Sequence, residues 1–553
     1  MVVGAAFGVL LYENRNQWFG GDEWNIITDR GLTAGPGHDG LLEPHFEHWS
    51  TLPIAVYRLL FAVFGLHSYW PYVVVLVVVH IAIVVLLWHV MVRAGVDPWV
   101  ATAGAAVFAV LGTGFENLTG AWQAQLIAPL ALGLGAVLLL PTSGRFARRD
   151  VLASALLLLA VMCSGVALAM LVVVALVQLA RRGLRVAVAT VAVPVAAYVA
   201  WYLAYGRYGR AVTNGSLSDV PDFVWRGTTR ALGDVARVEV LGPIVVLAVM
   251  AWLAVRLVRA PRDPRLVVPF ALAVGGVAFL ASTGFRRASL FMSDPAASRY
   301  AYVTVAFLLP LVALAAQGVL SGHLLRRVVL VGVTVTLLIV QIAELDREAS
   351  SHAVGEQADR GAVLATAQLA REQRRFLLRR PLYAYEPQVT VDEIVSMDRD
   401  GKLPSLHDAT ERDRLTVLAR LDLVVGPGAA ISGSEPPVVV SKRHVAIEPD
   451  SSGCARVRAR GRTPEVVLHL DAPTVFAVRG AGPIVLHLRD TQRRIDGEPV
   501  TFYLQPGRDD LVSVGSADDA VVVVWFPHGG ASQRGRIDRM CDIDALSEQP
   551  SVR

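Results

Sequence analysis

Apolar runs long enough, or nearly long enough, to cross a hydrocarbon core of about 30 Å recur along this chain up to residue 343 and then stop. About eleven spans are expected: 2–12, 72–92, 98–112, 120–140, 151–162, 166–180, 186–205, 241–258, 266–282, 301–320 and 328–343. With 54% of 553 residues hydrophobic, 18% charged and a mean hydropathy of +0.49, the composition calls for a bilayer as solvent. A net charge of +4 does not signal nucleic acid, because the arginines border apolar runs and form no exposed basic tract. Lysine is confined to Lys402 and Lys442 in a chain rich in Ala, Val, Leu, Arg and Gly, which points to a GC-rich bacterial genome.

Charge bias sets the expected orientation. If the N-terminus is cytoplasmic, Arg93, the Arg145/Arg148/Arg149 loop, Arg181/Arg182/Arg185, the Arg259–Arg265 loop and Arg326/Arg327 all fall inside. A multi-pass protein of the inner or plasma membrane with an extracytoplasmic C-terminal region is therefore expected. The segment 151–180 breaks at Cys163-Ser164-Gly165 and reads as two short helices, since one long helix would invert every downstream loop. The stretch 2–12 is short for a span and has no basic residue before it. Two expected outer segments, 13–71 and 206–240, are too long to be turns. Within the first, Thr51–Phe64 suits a helix lying in the membrane interface.

Beyond residue 344 the chain turns soluble. Residues 344–430 read as a helical and then mixed α/β segment containing a strand-like LDLVV. Residues 431–553 read as a jelly-roll-like β-sandwich, from runs such as EVVLHL, PIVLHL and AVVVVWF between turns. The expected fold class is thus an all-α polytopic membrane domain (1–343), an extracytoplasmic α/β segment and a β-sandwich. Cys454 and Cys541 flank the strand-rich region and, in an oxidising compartment, are expected to pair.

Three constellations could carry chemistry, all on the expected outer face. Asp22-Glu23, in QWFGGDEWN, sets two adjacent carboxylates just past the first span; a carboxylate there can serve as general base on a hydroxyl or can be a solvated loop acid. In LLEPHFEHWS, His45, Glu47 and His48 could position a substrate, and their spacing matches no metal signature; Glu116, in GFEN, belongs to the next outer loop. In GFRRASLFMSDPAASRY, Arg286, Arg287, Arg299 and Tyr300 lie outside against the charge rule, and guanidinium groups bind phosphate bidentately. His80 and His89 lie about 180° apart on one helix and read as core histidines.

This order resembles the GT-C superfamily of membrane glycosyltransferases, in the branch of the protein O-mannosyltransferases and aminoarabinose transferases. The likeness covers roughly residues 1–343: a first span, an acidic pair (Asp22-Glu23), an apolar juxtamembrane helix, a span ending in VMVRAG, a second acidic loop (Glu116) and a late outer arginine in an SRY stretch. It implies a polyprenyl-phosphate sugar donor and a cell-envelope glycan, lipid or protein acceptor. By the same likeness Asp22 would be the base, Glu23 and Glu116 would orient donor or acceptor, and Arg286, Arg287 or Arg299 would hold the lipid phosphate. A divalent cation, Mg or Mn, is compatible with that chemistry without being required by any motif. The sandwich would be a glycan-binding accessory. A lipid-linked-sugar flippase would need membrane arginines too, but also charges at mid-membrane depth and internal repeats, which the spans lack. A non-enzymatic scaffold would leave Asp22-Glu23 dispensable.

Overall fold

The computed structural model describes residues 2–30, 40–209, 217–287, 294–320, 324–372, 382, 389–422, 424–428, 439–449, 454–459, 464–469, 474–490, 495–506, 509–514, 520–525 and 536–543. The chain divides into two compact units, Met1–Gln357 and Ala358–Arg553.

In the first unit the helices are α1 (Val2–Glu13), α2 (Asp22–Trp24), α3 (Thr51–Phe64), α4 (Trp70–Arg93), α5 (Pro98–Ala109), α6 (Glu116–Thr119) and α7 (Ala124–Leu139). They continue with α8 (Arg148–Val161), α9 (Val166–Arg182), α10 (Leu184–Ala204), α11 (Val220–Asp234), α12 (Leu241–Arg259), α13 (Val267–Arg287), α14 (Ser298–Leu320) and α15 (Leu324–Glu372), whose residues from Ala358 on belong to the second unit. Each of the eleven expected spans falls largely on a helix. Seven described helices are long and apolar enough to cross a membrane: α4, Ala121–Leu139, α10, α12, α13, Ser298–Gln317 of α14, and Arg327–Glu372 of α15. The other four expected spans, α1, α5, α8 and α9, have 12, 12, 14 and 17 residues and fall below that length. Leu111, Gly112 and Met162 were read as span, yet their backbone turns, which shortens the helices on either side, and the break expected at Cys163-Ser164-Gly165 is a turn. The last expected span, 328–343, and the helical stretch expected after it form a single helix: α15 runs through Glu344, Asp346 and Arg347 with 49 residues, about 74 Å by helical rise.

Local signals start the helices. Asp97 caps α5 by accepting from the Trp99 amide at 2.9 Å, with Pro98 behind it. Between helices in a bilayer, close packing replaces the hydrophobic drive, and small residues permit it. A Cβ on Gly133 would sit 2.5 Å from Met170, and one on Gly275 would sit 2.5 Å from Val173. These contacts lock α7 to α9 and α9 to α13, while α4 packs on α7 and α13 on α14. His80 is a buried core residue bonded to Tyr302 Oη (2.7 Å) and the Ala109 carbonyl (3.1 Å), whereas His89 is exposed and bonded to the Val85 carbonyl. Helix α3 buries Ile54, Tyr57 and Phe61 and exposes Leu59, Val63 and Phe64, an apolar outer face suited to an interface.

In the second unit, α16 (Val391–Arg399) and α17 (Glu411–Asp422) precede strands β1 (Val424–Gly428), β2 (Val439–Arg443), β3 (Val445–Pro449), β4 (Ala455–Ala459), β5 (Glu465–His469) and β6 (Thr474–Asp490). Then come β7 (Ile495–Asp496), β8 (Val500–Leu504), β9 (Asp509–Val514), β10 (Ala520–Trp525) and β11 (Arg536–Ile543). All pairings are antiparallel. The first half of β6 pairs with β9 and β11, and its second half with β8 and β10, so one long strand serves two sets of partners. Strand β1, read from sequence as part of the mixed segment, pairs with β9 and so belongs to the strand region. Cys163 is a free, buried thiol and Cys454 is half of a disulfide. The side chain of Cys541 on β11 lies outside the described residues, so its pairing with Cys454 stays an expectation.

Candidate active site

Gly21 turns the chain into α2 with φ of +54°, and the next two side chains part company. Glu23 turns inward. Its Oε1 accepts from Tyr57 Oη (2.5 Å), Tyr69 Oη (2.8 Å) and the Trp122 amide (3.1 Å), and its Oε2 accepts from the Gly20 amide (3.1 Å). One buried carboxylate thereby ties the first loop to α3, to the start of α4 and to the turn before α7. Asp22 is exposed and has no hydrogen-bond partner among the described residues. Enough protein still surrounds it that desolvation lifts its carboxyl above the ordinary value, against the pull of Arg299 and Arg287 and with a push from Glu47.

The other expected residues converge on that same space. The turn His45-Phe46-Glu47-His48 closes through reciprocal backbone bonds of 3.0 and 2.9 Å, with Phe46 at φ +51°. Glu47 Oε1 accepts from Arg287 Nε at 3.1 Å and also pairs with Arg287 Nη2. Arg287 Nη1 donates to Tyr300 Oη at 3.1 Å; Arg299 lies 5.3 Å from the Tyr300 ring and donates to Glu116 Oε2 at 3.3 Å. A continuous chain, Glu47–Arg287–Tyr300–Arg299–Glu116, thus faces Asp22. Arg286 sits near His48, which feels its charge, but is not part of that chain.

Both imidazoles are pushed below the ordinary value. Burial lowers His48; Glu47 pulls it up, but Arg287 and Arg286 help keep it below the ordinary value. The Gly165 amide donates to His48 Nδ1 at 3.4 Å, so the proton sits on Nε2, which points at Glu47 Oε1 3.8 Å away. His45 is pushed down to about 3 by burial and by Arg30 and His48. Burial raises the Glu47 carboxyl, yet His48 and Arg287 outweigh it and leave it below the ordinary value. A Cβ on Gly165 would stand 3.3 Å from His48 Nδ1. Gly165→Ala should displace the imidazole at a cost of about 1 kcal/mol, read as a lower unfolding midpoint.

Several partners gave no motif. Tyr57, Tyr69 and Trp122, which hold Glu23, and Ser298, whose Oγ accepts from the Glu116 amide at 3.1 Å, lie in or beside apolar segments. A polar tip inside an apolar stretch next to a loop acid was the only available signal. Trp201 is buried, stacks on Trp49 at 5.3 Å and donates to the Leu42 carbonyl, clamping the first loop to α10.

Burial pushes the Glu23 carboxyl up from 4.5 to about 7, against the lowering effect of its four donors. Between those values the fold holds a proton that the unfolded chain has released, so stability falls as pH rises through that window, by about 3 kcal/mol in all. Thermal unfolding in detergent should show a midpoint that declines from about pH 5 to about pH 7, and Glu23→Gln should lack that slope.

Among the described residues, no three His, Cys, Asp or Glu side chains gather in a metal-holding group. What the arrangement offers is a carboxylate without a hydrogen-bond partner among the described residues, opposite two arginines that are themselves anchored by half-buried acids.

No protein-family model matches the chain, and no curated protein does. Among solved structures, the chain is similar to ArnT from Cupriavidus metallidurans bound to undecaprenyl phosphate, with a TM-score of 0.44 and 13% identity over 77% of this chain and 91% of that one. It is also similar to the same protein in the apo state, with a TM-score of 0.40 and 14% identity over the same shares.

Proposed function

We propose that this chain is a membrane glycosyltransferase that moves a sugar from a polyprenyl-phosphate donor to an acceptor hydroxyl of a cell-envelope glycan, lipid or protein on the extracytoplasmic face. The observation that carries this reading is the unpartnered Asp22 carboxylate set opposite Arg287 and Arg299, which come from the end of α13 and the start of α14. Asp22 takes the proton of the acceptor hydroxyl, and the hydroxyl oxygen attacks the anomeric carbon. The bond from that carbon to the phosphate oxygen breaks, and the lipid phosphate leaves with the electron pair. Arg287 and Arg299 take up the charge that grows on it, held in place by Glu47 and Glu116. Attack opposite the leaving group inverts the anomeric centre. Glu23, with both oxygens occupied, positions the loop and does not act on substrate. The extracytoplasmic placement rests on the charge bias of the loops.

The test of the phosphate assignment is donor affinity. Arg287→Gln and Arg299→Gln should each weaken binding of a labelled polyprenyl phosphate by about 10-fold or more, the loss of one charge-assisted pair. Unchanged affinity in both variants would remove the arginines from donor binding.

A further inference from the structure

The end of the bundle away from Asp22 holds a cavity of about 420 Å3 lined by Arg93 at the end of α4, Arg149 at the start of α8, Arg181 in the last turn of α9 and Arg265 between α12 and α13. It is distinct from the candidate active site. Helix α4 begins beside Tyr69, which bonds Glu23, and reaches Arg93 24 residues later, about 36 Å along the axis. Helix α13 begins at this cavity, with Val268, and ends at Arg287.

The charges around the cavity are not balanced by the protein. Asp150, the acid nearest Arg149 in sequence, is committed to Arg182 in a buried pair and to Gln178 at 2.8 Å. Asp263, two residues before Arg265, pairs with Arg256 at 2.6 Å. Among the described residues none of the four lining arginines forms an ion pair with a carboxylate. Arg93 donates to the Leu138 carbonyl at 2.7 Å, and Arg265 lies across Gly95, where a Cβ would meet its Cδ and Nε at 3.2 Å. Placement beside apolar runs explains why arginines stand at this end of the bundle. It does not explain why four of them from four separate elements line one cavity while their neighbours Arg182 and Arg256 take the local acids.

Like charges around one space repel, and a dianion relieves several such repulsions at once. Guanidinium forks match phosphate oxygens in geometry. The remaining wall includes Leu138, Leu140 and Val268, an apolar surface suited to the stem that carries a headgroup. We propose that this cavity is a binding site for a phosphomonoester, the chemistry shared by an anionic lipid headgroup and a free phosphate. It stands apart from glycosyl transfer and holds whether or not that reading does.

The test uses the purified full chain in neutral detergent. Dioleoyl phosphatidic acid, inorganic phosphate and, as control, dioleoyl phosphatidylcholine are each added, and the unfolding midpoint is read. Phosphatidic acid should raise it by roughly 3 °C or more at saturation, and the control should not. Arg149→Gln and Arg265→Gln, both at exposed positions, should each keep the unliganded midpoint and reduce the shift by at least half. If inorganic phosphate gives the same shift and the variants reduce it equally, the site holds and its occupant is a soluble phosphate. If neither probe shifts the midpoint, or the variants keep the full shift, the proposal is overturned. A variant that fails to fold is replaced by the other, so one always reports.

Discussion

Asp22→Asn should reduce glycosyl transfer by about 10²- to 10⁴-fold while donor affinity and the unfolding midpoint stay where they are. The substitution keeps the shape of the side chain and removes only its ability to take a proton. Because Asp22 has no hydrogen-bond partner among the described residues, no fold contact is lost with the charge. Loss of one negative charge near Arg287 and Arg299 removes no attraction for an anionic donor, so binding is not weakened. The assay is transfer from a labelled polyprenyl-phosphate sugar in membranes, beside a binding isotherm for the same donor. Transfer at the wild-type rate would leave Asp22 a solvated loop acid.

The neighbouring substitution should do the opposite. Glu23→Ala strands the hydroxyls of Tyr57 and Tyr69 and the amides of Gly20 and Trp122, all of which now meet on one buried carboxylate. Each buried donor left without an acceptor costs on the order of 1–3 kcal/mol, less what water recovers, so a loss of about 4 kcal/mol is expected. The unfolding midpoint should fall by about 10 °C. Asp22→Ala should leave it within about 1 °C, since surface changes away from such networks are nearly neutral. Equal midpoints for the two alanine variants would show that Glu23 holds nothing together.

The contrast between these two acids marks where sequence reading stops. Adjacency made Asp22 and Glu23 look alike, and only the turn at Gly21 separates a free carboxylate from a saturated one. The helices were legible because apolar runs are long and repetitive, yet the last span and the charged helical stretch after it were read as separate pieces, since a change of composition at residue 343 does not tell whether one helix continues through it. The Glu47–Arg287 and Glu116–Arg299 links join residues 240 and 183 positions apart, and no local pattern announces such a pair. Arg286 and Arg287 were interchangeable in sequence. The helical phase at the end of α13 brings Arg287 to Glu47 and Tyr300, whereas Arg286 is left beside His48. The tyrosines around Glu23 were missed because their rings belong to the apolar pattern and only their hydroxyls take part in the site.

The central claim is chemical, and one measurement addresses it: the purified chain, reconstituted in liposomes, is given a polyprenyl-phosphate donor labelled on the sugar together with an envelope-glycan acceptor. Release of free polyprenyl phosphate in step with label appearing on the acceptor, abolished by Asp22→Asn, is the predicted result. Intact donor that crosses the bilayer with no label transferred, in wild type and variant alike, would contradict it and make the chain a carrier of lipid-linked sugar.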